Sequence, residues 1–177
     1  MSVNTISIIF VTFVVATVFA QPEPDDPRIN RFVWQAFCTG NLPAEPSRQD
    51  YPVSITVYPD PTWNVFQPNQ LVRVTLRSIE PLFTFTGFLI QAHLPSDPTT
   101  TVGRWESGAF GQPISCSDPE FVGHDAAAQS SIIERHTQEL IWIVPETPGT
   151  YVFNMTTARE TGVYWVDQLS YLLRVGN

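Results

Sequence analysis

Short runs of alternating apolar and polar residues, each closed by proline or glycine, constrain this chain to a β architecture. The cleanest is Leu71 to Arg77: Val72, Val74 and Leu76 point one way while Arg73, Thr75 and Arg77 point the other. That two-residue period marks a half-buried strand. Val53, Ile55 and Val57 alternate likewise with Ser54, Thr56 and Tyr58 until Pro59-Asp60-Pro61 stops the run. Leu82 to Leu94 carries apolar residues on both faces, which predicts a central strand, and Gly87 within it predicts a bulge or a close backbone neighbour. Further strands are expected over Val102 to Ser107, Leu140 to Val144, Tyr151 to Thr157 (Tyr151, Phe153 and Met155 inward) and Val163 to about Val175, the last broken near Asp167. Residues 31–50 and 108–138 read as irregular, with a weak helical pattern over Ala126 to Arg135. The expected fold class is all-β: an antiparallel two-sheet β-sandwich of seven to eight strands.

The N-terminus points to secretion. Residues 1–20 carry no charged side chain, and Ile6 to Phe19 is almost continuously apolar. Val18-Phe19-Ala20 offers short residues where a signal peptidase reads, and Gln21-Pro22-Glu23-Pro24-Asp25-Asp26 cannot continue a helix. A signal peptide over residues 1–20, cut between Ala20 and Gln21, is expected. An uncleaved anchor is the competing reading, but the run is shorter than the ~20 apolar residues that span a bilayer, and no basic residue holds its flank. The mature chain is expected to be extracellular and not membrane-embedded, with a proline-rich acidic segment over residues 21–37 and one domain over 38–177. In an oxidising compartment two cysteines imply one disulfide, Cys38–Cys116, unless each pairs with another chain. Zinc is the weaker alternative, because neither cysteine has a CxxC partner.

Composition removes several functions. The net charge of −8 opposes binding to polyphosphate, so nucleic acid is not an expected partner. All basic residues are arginine, which excludes Schiff-base chemistry through lysine. There is no G-x-S-x-G elbow, and no enzymatic activity, cofactor or metal is expected. His93 reads as a surface or edge residue. His124, near Asp118, Glu120 and Asp125, could in principle contribute to a metal site, but stabilisation of its loop is the preferred role.

The aromatics carry more weight. Trp142 and Trp165 sit in apolar strands and read as core, whereas Trp34, Trp63 and Trp105 lie in irregular or turn-rich segments. Exposed, these three would stack on sugar rings or anchor a protein partner, with Trp63 and Trp105 the binding candidates; buried, they would plug the ends of the sandwich, the preferred reading for two of the three. Asn154-Met155-Thr156 is the one N-x-S/T acceptor, and the strand phase places Asn154 outward, where a glycan fits.

One series of motifs runs through the chain in order. Cys38 is followed by Leu42-Pro43, then come Gly87-Phe88-Leu89-Ile90-Gln91-Ala92, Cys116, Gly123-His124, Trp142-Ile143-Val144-Pro145, Gly149 to Phe153 and Tyr164-Trp165. In order and spacing the series resembles the reeler (reelin-type) domain family. Departures are Glu45, where the family has a histidine, and Gly123 and Asp125 in place of the threonine and serine flanking His124. The resemblance implies a secreted, immunoglobulin-like β-sandwich. It also implies kinship with single-domain insect defence proteins of innate immunity, some binding microbial surfaces or haemocytes. Members with a haem-binding or membrane cytochrome part continue beyond the domain, whereas this chain stops there and is expected to be a stand-alone module. Two roles follow as expectations. The first is non-enzymatic recognition in defence, with microbial glycans or cell-surface proteins as partners. The alternative is a structural matrix or coat protein. The sequence is silent on oligomeric state.

Overall fold

The computed structural model describes residues 27–176 other than 43, 110, 119, 121 and 161. The expected signal peptide and its expected Ala20/Gln21 cleavage point lie outside the described residues. In chain order the elements are α1 (Pro27–Thr39), β1 (Val53–Tyr58), β2 (Val65–Phe66), β3 (Leu71–Ser78), β4 (Gly87–Leu94), β5 (Asp97–Thr101) and β6 (Arg104–Glu106). They continue with β7 (Gly111–Ile114), β8 (Ala126–Gln129), β9 (Thr137–Ile143), β10 (Gly149–Glu160), β11 (Val163–Leu169) and β12 (Leu173–Val175).

Two sheets result. One runs β1-β3-β9-β6; the other runs β2-β12-β10-β4-β8-β7, with β11 pairing β10 and β5 pairing β4. All pairings are antiparallel except β2 with β12, where Val65 and Phe66 lie beside Arg174 and Val175 in parallel. The alternation drawn from the sequence reappears as burial: Val72, Val74 and Leu76 are wholly buried between the sheets, and Leu71, Arg73 and Arg77 face solvent. Strands beyond the expected seven to eight are short pieces such as β2 and β7, too brief for a periodic signal.

The core between the sheets is aromatic. Trp105 of β6 sits directly opposite Trp142 of β9. The Trp142 ring meets Phe153 edge-on at 5.0 Å and Tyr151 at 6.3 Å, while Trp105 meets Phe153 at 5.3 Å. Such tilted and edge-on pairs put the positive rim of one ring against the negative face of the next. Gly103 is required beside this stack, since its φ is +69° and a Cβ there would lie 2.5 Å from Trp142 Nε1.

Strand β4 is central, as its two apolar faces demand. Phe88, Ile90 and Ala92 enter the inter-sheet core, and Leu89 enters a second cluster with Trp34, Ile114, Ala126 and Ala128. That second cluster exists because α1 lies across the outer face of the larger sheet. The helix corrects the expectation of irregular chain over residues 31–39. Its boundaries have sequence signals: Pro27 suits the first turn, and Gly40 at φ +69° ends it in the left-handed conformation. Trp34 and Cys38, four residues apart, share the face turned to the sheet.

A second correction concerns Ala126 to Arg135, where a weak helix was expected. Ala126, Ala127 and Ala128 form β8, paired with β4 on one side and β7 on the other. Alanine favours helix in isolation, but here small side chains are what allow α1 to approach the sheet, so packing overrides propensity. A disulfide joins Cys38 at the end of α1 to Cys116 just after β7, with Cα atoms 5.2 Å apart. Among the described residues no helix is long and apolar enough to cross a membrane.

Candidate recognition surface

The turn between β1 and β2 is built on Asp60. Its carboxylate accepts from Thr62 N (2.8 Å), and its carbonyl accepts from Asn64 Nδ2 (2.6 Å) and Trp63 N (3.4 Å). This is the local side-chain bonding by which aspartate stabilises turns. It fixes a segment in which Trp63 is 85% exposed. Phe66 is fully buried and Val65 is 56% exposed, so Trp63, two residues before Val65, stands on the outward side of this edge. Leu172 and Tyr171, just before β12, are exposed too, and Tyr58 is exposed where β1 runs into the turn. Trp63 and Val65 thus present apolar side chains at the β2 edge of the larger sheet.

The other candidate, Trp105, is not on this surface. It is wholly buried, its backbone N–H donating to His124 O and its carbonyl lying 2.9 Å from His124 Nδ1. This is a correction: Trp105 reaches no ligand, because pairing opposite Trp142 turns its ring into the core. Trp34 is buried too, its Nε1 donating to Gln129 O at 3.0 Å. Val65, Tyr171 and Leu172 were not singled out from the sequence, because their exposure depends on the β2–β12 pairing between segments over a hundred residues apart.

His124 and Asp125 make hydrogen bonds within the chain around the disulfide loop. His124 tethers its loop to Trp105. Asp125 accepts from Ser115 Oγ (2.7 Å), Cys116 N (3.1 Å) and Ser117 Oγ (3.2 Å), which commits its oxygens to the chain around the disulfide. Among the described residues no cluster of three or more His, Cys, Asp or Glu could hold a metal ion. Asn154 is half-buried on the outer face of β10, as the strand phase predicted, and its Nδ2 donates to Asp167 Oδ1 at 3.2 Å.

His93 is buried within β4, not at the surface as expected, with Nδ1 3.2 Å from Thr100 O. Burial holds its pKa below the ordinary 6.5; the Thr100 carbonyl, Asp97 and Asp125 oppose that shift. The folded state therefore favours the neutral ring. Its contribution is fully present above about pH 6.5 and is lost as pH falls from there through the lowered folded-state value, since the unfolded chain takes up the proton first. The denaturation midpoint should decline as pH falls below about 6.5, and His93→Gln should flatten that decline. An unchanged slope in His93→Gln would remove the residue from this account.

A two-sheet sandwich clasped by one disulfide around an aromatic core defines an immunoglobulin-like β module. The chain belongs to the Reeler domain family, whose model matches residues 36–177. The human F-spondin reeler domain superposes with a TM-score of 0.61 at 18% identity, covering 75% of this chain and 94% of that one. A structure of the Reelin-N domain of F-spondin gives 0.60 at 17% identity, covering 81% and 99%. These likenesses establish the fold. Among curated proteins, "Putative defense protein 1" of Antheraea mylitta is 28% identical over 109 residues. That alignment takes in 59% of this chain and 62% of the relative's length.

Proposed function

We propose that this is a secreted, non-enzymatic defence protein that recognises microbial surface glycans or host cell surfaces through the Trp63 edge. The observation that carries the reading is the exposure of Trp63 on a turn held rigid by Asp60. A flat aromatic ring offers its face to the C–H groups of a pyranose or to an apolar protein anchor, and a fixed turn lowers the entropy lost on binding. The insect relative's name and the Reeler family support a role outside the cell, as does the disulfide. With a net charge of −8, neutral glycans or proteins suit the surface better than anionic polymers.

The same reading includes removal of residues 1–20 and a glycan on Asn154. The sugar would stand on the outer face of β10, leaving one Nδ2 hydrogen for Asp167. The chain expressed with its own leader in insect cells should enter the medium beginning at Gln21, with a mass excess that Asn154→Gln abolishes. That secreted protein should then bind saturably to at least one class among bacterial, yeast and insoluble glycan particles or haemocytes at physiological salt. Failure on every class would favour the structural matrix or coat role, and retention inside the cell would defeat both.

A further inference from the structure

At the opposite end of β10 from the Trp63 edge, a cleft of about 800 Å³ opens beside α1. Val33, Ala36 and Phe37, one face of the helix by their spacing, form one wall; Leu82, Ile132 and Ala158 contribute to the others. Below this apolar lining are two polar groups that the fold leaves unused. Gln129 Nε2 and Tyr164 Oη are both buried and have no hydrogen-bond partner.

The orientation of Gln129 is fixed. Its Oε1 accepts from Phe88 N at 3.0 Å, which leaves its amide N–H groups beside Gly87. A Cβ at Gly87 would stand 3.6 Å from Gln129 Nε2 and 3.6 Å from the Phe37 ring. Gly87, Phe37 and Gln129 all border the cleft, so the amide lies against its wall. A buried donor without an acceptor is unfavourable, so an acceptor that reached it would be held firmly. The rim carries both signs of charge. Glu134 accepts from Thr84 Oγ1 at 3.2 Å, the Arg159 guanidinium lies 5.7 Å from the Phe83 ring, and Glu160 and His136 complete it. Such a mixed rim does not select an ion.

We propose that this cleft binds a small neutral amphiphile, its apolar part between α1 and Ile132 and a carbonyl-type acceptor directed at Gln129 Nε2 and Tyr164 Oη. The volume lies within the range of small-molecule sites, and apolar walls with a few convergent polar groups are their usual make-up. The site is separate from the Trp63 edge, so either can fail without the other.

The test is displacement of a neutral fluorescent probe, N-phenyl-1-naphthylamine, from the disulfide-bonded chain by ethylbenzene, acetophenone and benzoate, three ligands of nearly one shape. Acetophenone should displace the probe at concentrations about tenfold below ethylbenzene, because it alone satisfies the buried donors without carrying charge. Tyr164→Phe removes a hydroxyl with no partner in the fold and should narrow that gap while probe binding persists. Ala36→Trp fills the cleft from the half-exposed helix face and should weaken probe and ligands about tenfold at unchanged thermal stability. Equal displacement by ethylbenzene and acetophenone, preference for benzoate, or undiminished binding in Ala36→Trp would each overturn the proposal.

Discussion

Replacement of Trp142 by alanine is expected to cost about 3–5 kcal/mol, the range for removing a fully packed large aromatic, and to leave a population of unfolded chain at 37 °C. Trp142 is wholly buried, touches Phe153 and Tyr151, and stands opposite Trp105. Its Nε1 donates to Val102 O at 3.3 Å, so the indole also fixes the chain before Gly103. No neighbour can fill the space: Phe153 is bounded by Trp105, and the backbone at Gly103 already lies against the ring. Domains of this kind hold roughly 5–15 kcal/mol in all, so the loss is a large share of the total. Urea denaturation should show a lower midpoint at an unchanged slope. Trp63→Ala serves as the control, with a shift within about 0.5 kcal/mol, since the side chain is exposed. Comparable losses for the two substitutions would contradict this picture of the core.

The second large effect is expected from Cys38→Ser with Cys116→Ser. The bridge spans 78 residues of sequence, and restricting the unfolded chain over such a loop contributes about 4 kcal/mol. The melting temperature should fall by roughly 8–16 °C for a domain of this size. The loss has a local component as well. Helix α1 has 13 residues, marginal alone in water, and its hold on the sheet is the Cys38–Cys116 bridge together with Trp34 and Phe37. Limited proteolysis of the double variant should cut first within α1. Simultaneous cleavage throughout the chain would show that the helix and sandwich unfold as one unit.

The strands were legible because their period is set by a core on one side and water on the other, as in β1, β3 and β10. Even the two-faced burial of β4 could be read, although the sequence did not reveal that a helix supplies the second cover. Helix α1 was hidden by the prolines and glycines around it, and β8 by three alanines whose intrinsic preference the sheet overrides. The candidate surface was half legible for a similar reason. Trp63 and Trp105 both lie in turn-rich sequence, and only the non-local pairing of β6 with β9 buries one while the β2–β12 edge presents the other. Gln129, one residue beyond the alanines, gave no signal. Its significance comes from an amide nitrogen left without a partner beside the cleft, which no periodicity encodes.

Recognition is proposed to run through Trp63. The most direct test is a quantitative pull-down of secreted native protein and Trp63→Ala on the particle class that retains the native chain best. A loss of about tenfold or more in apparent affinity, at unchanged melting temperature, is the predicted result. Equal retention of the two proteins would contradict it and move recognition away from this edge of the sandwich.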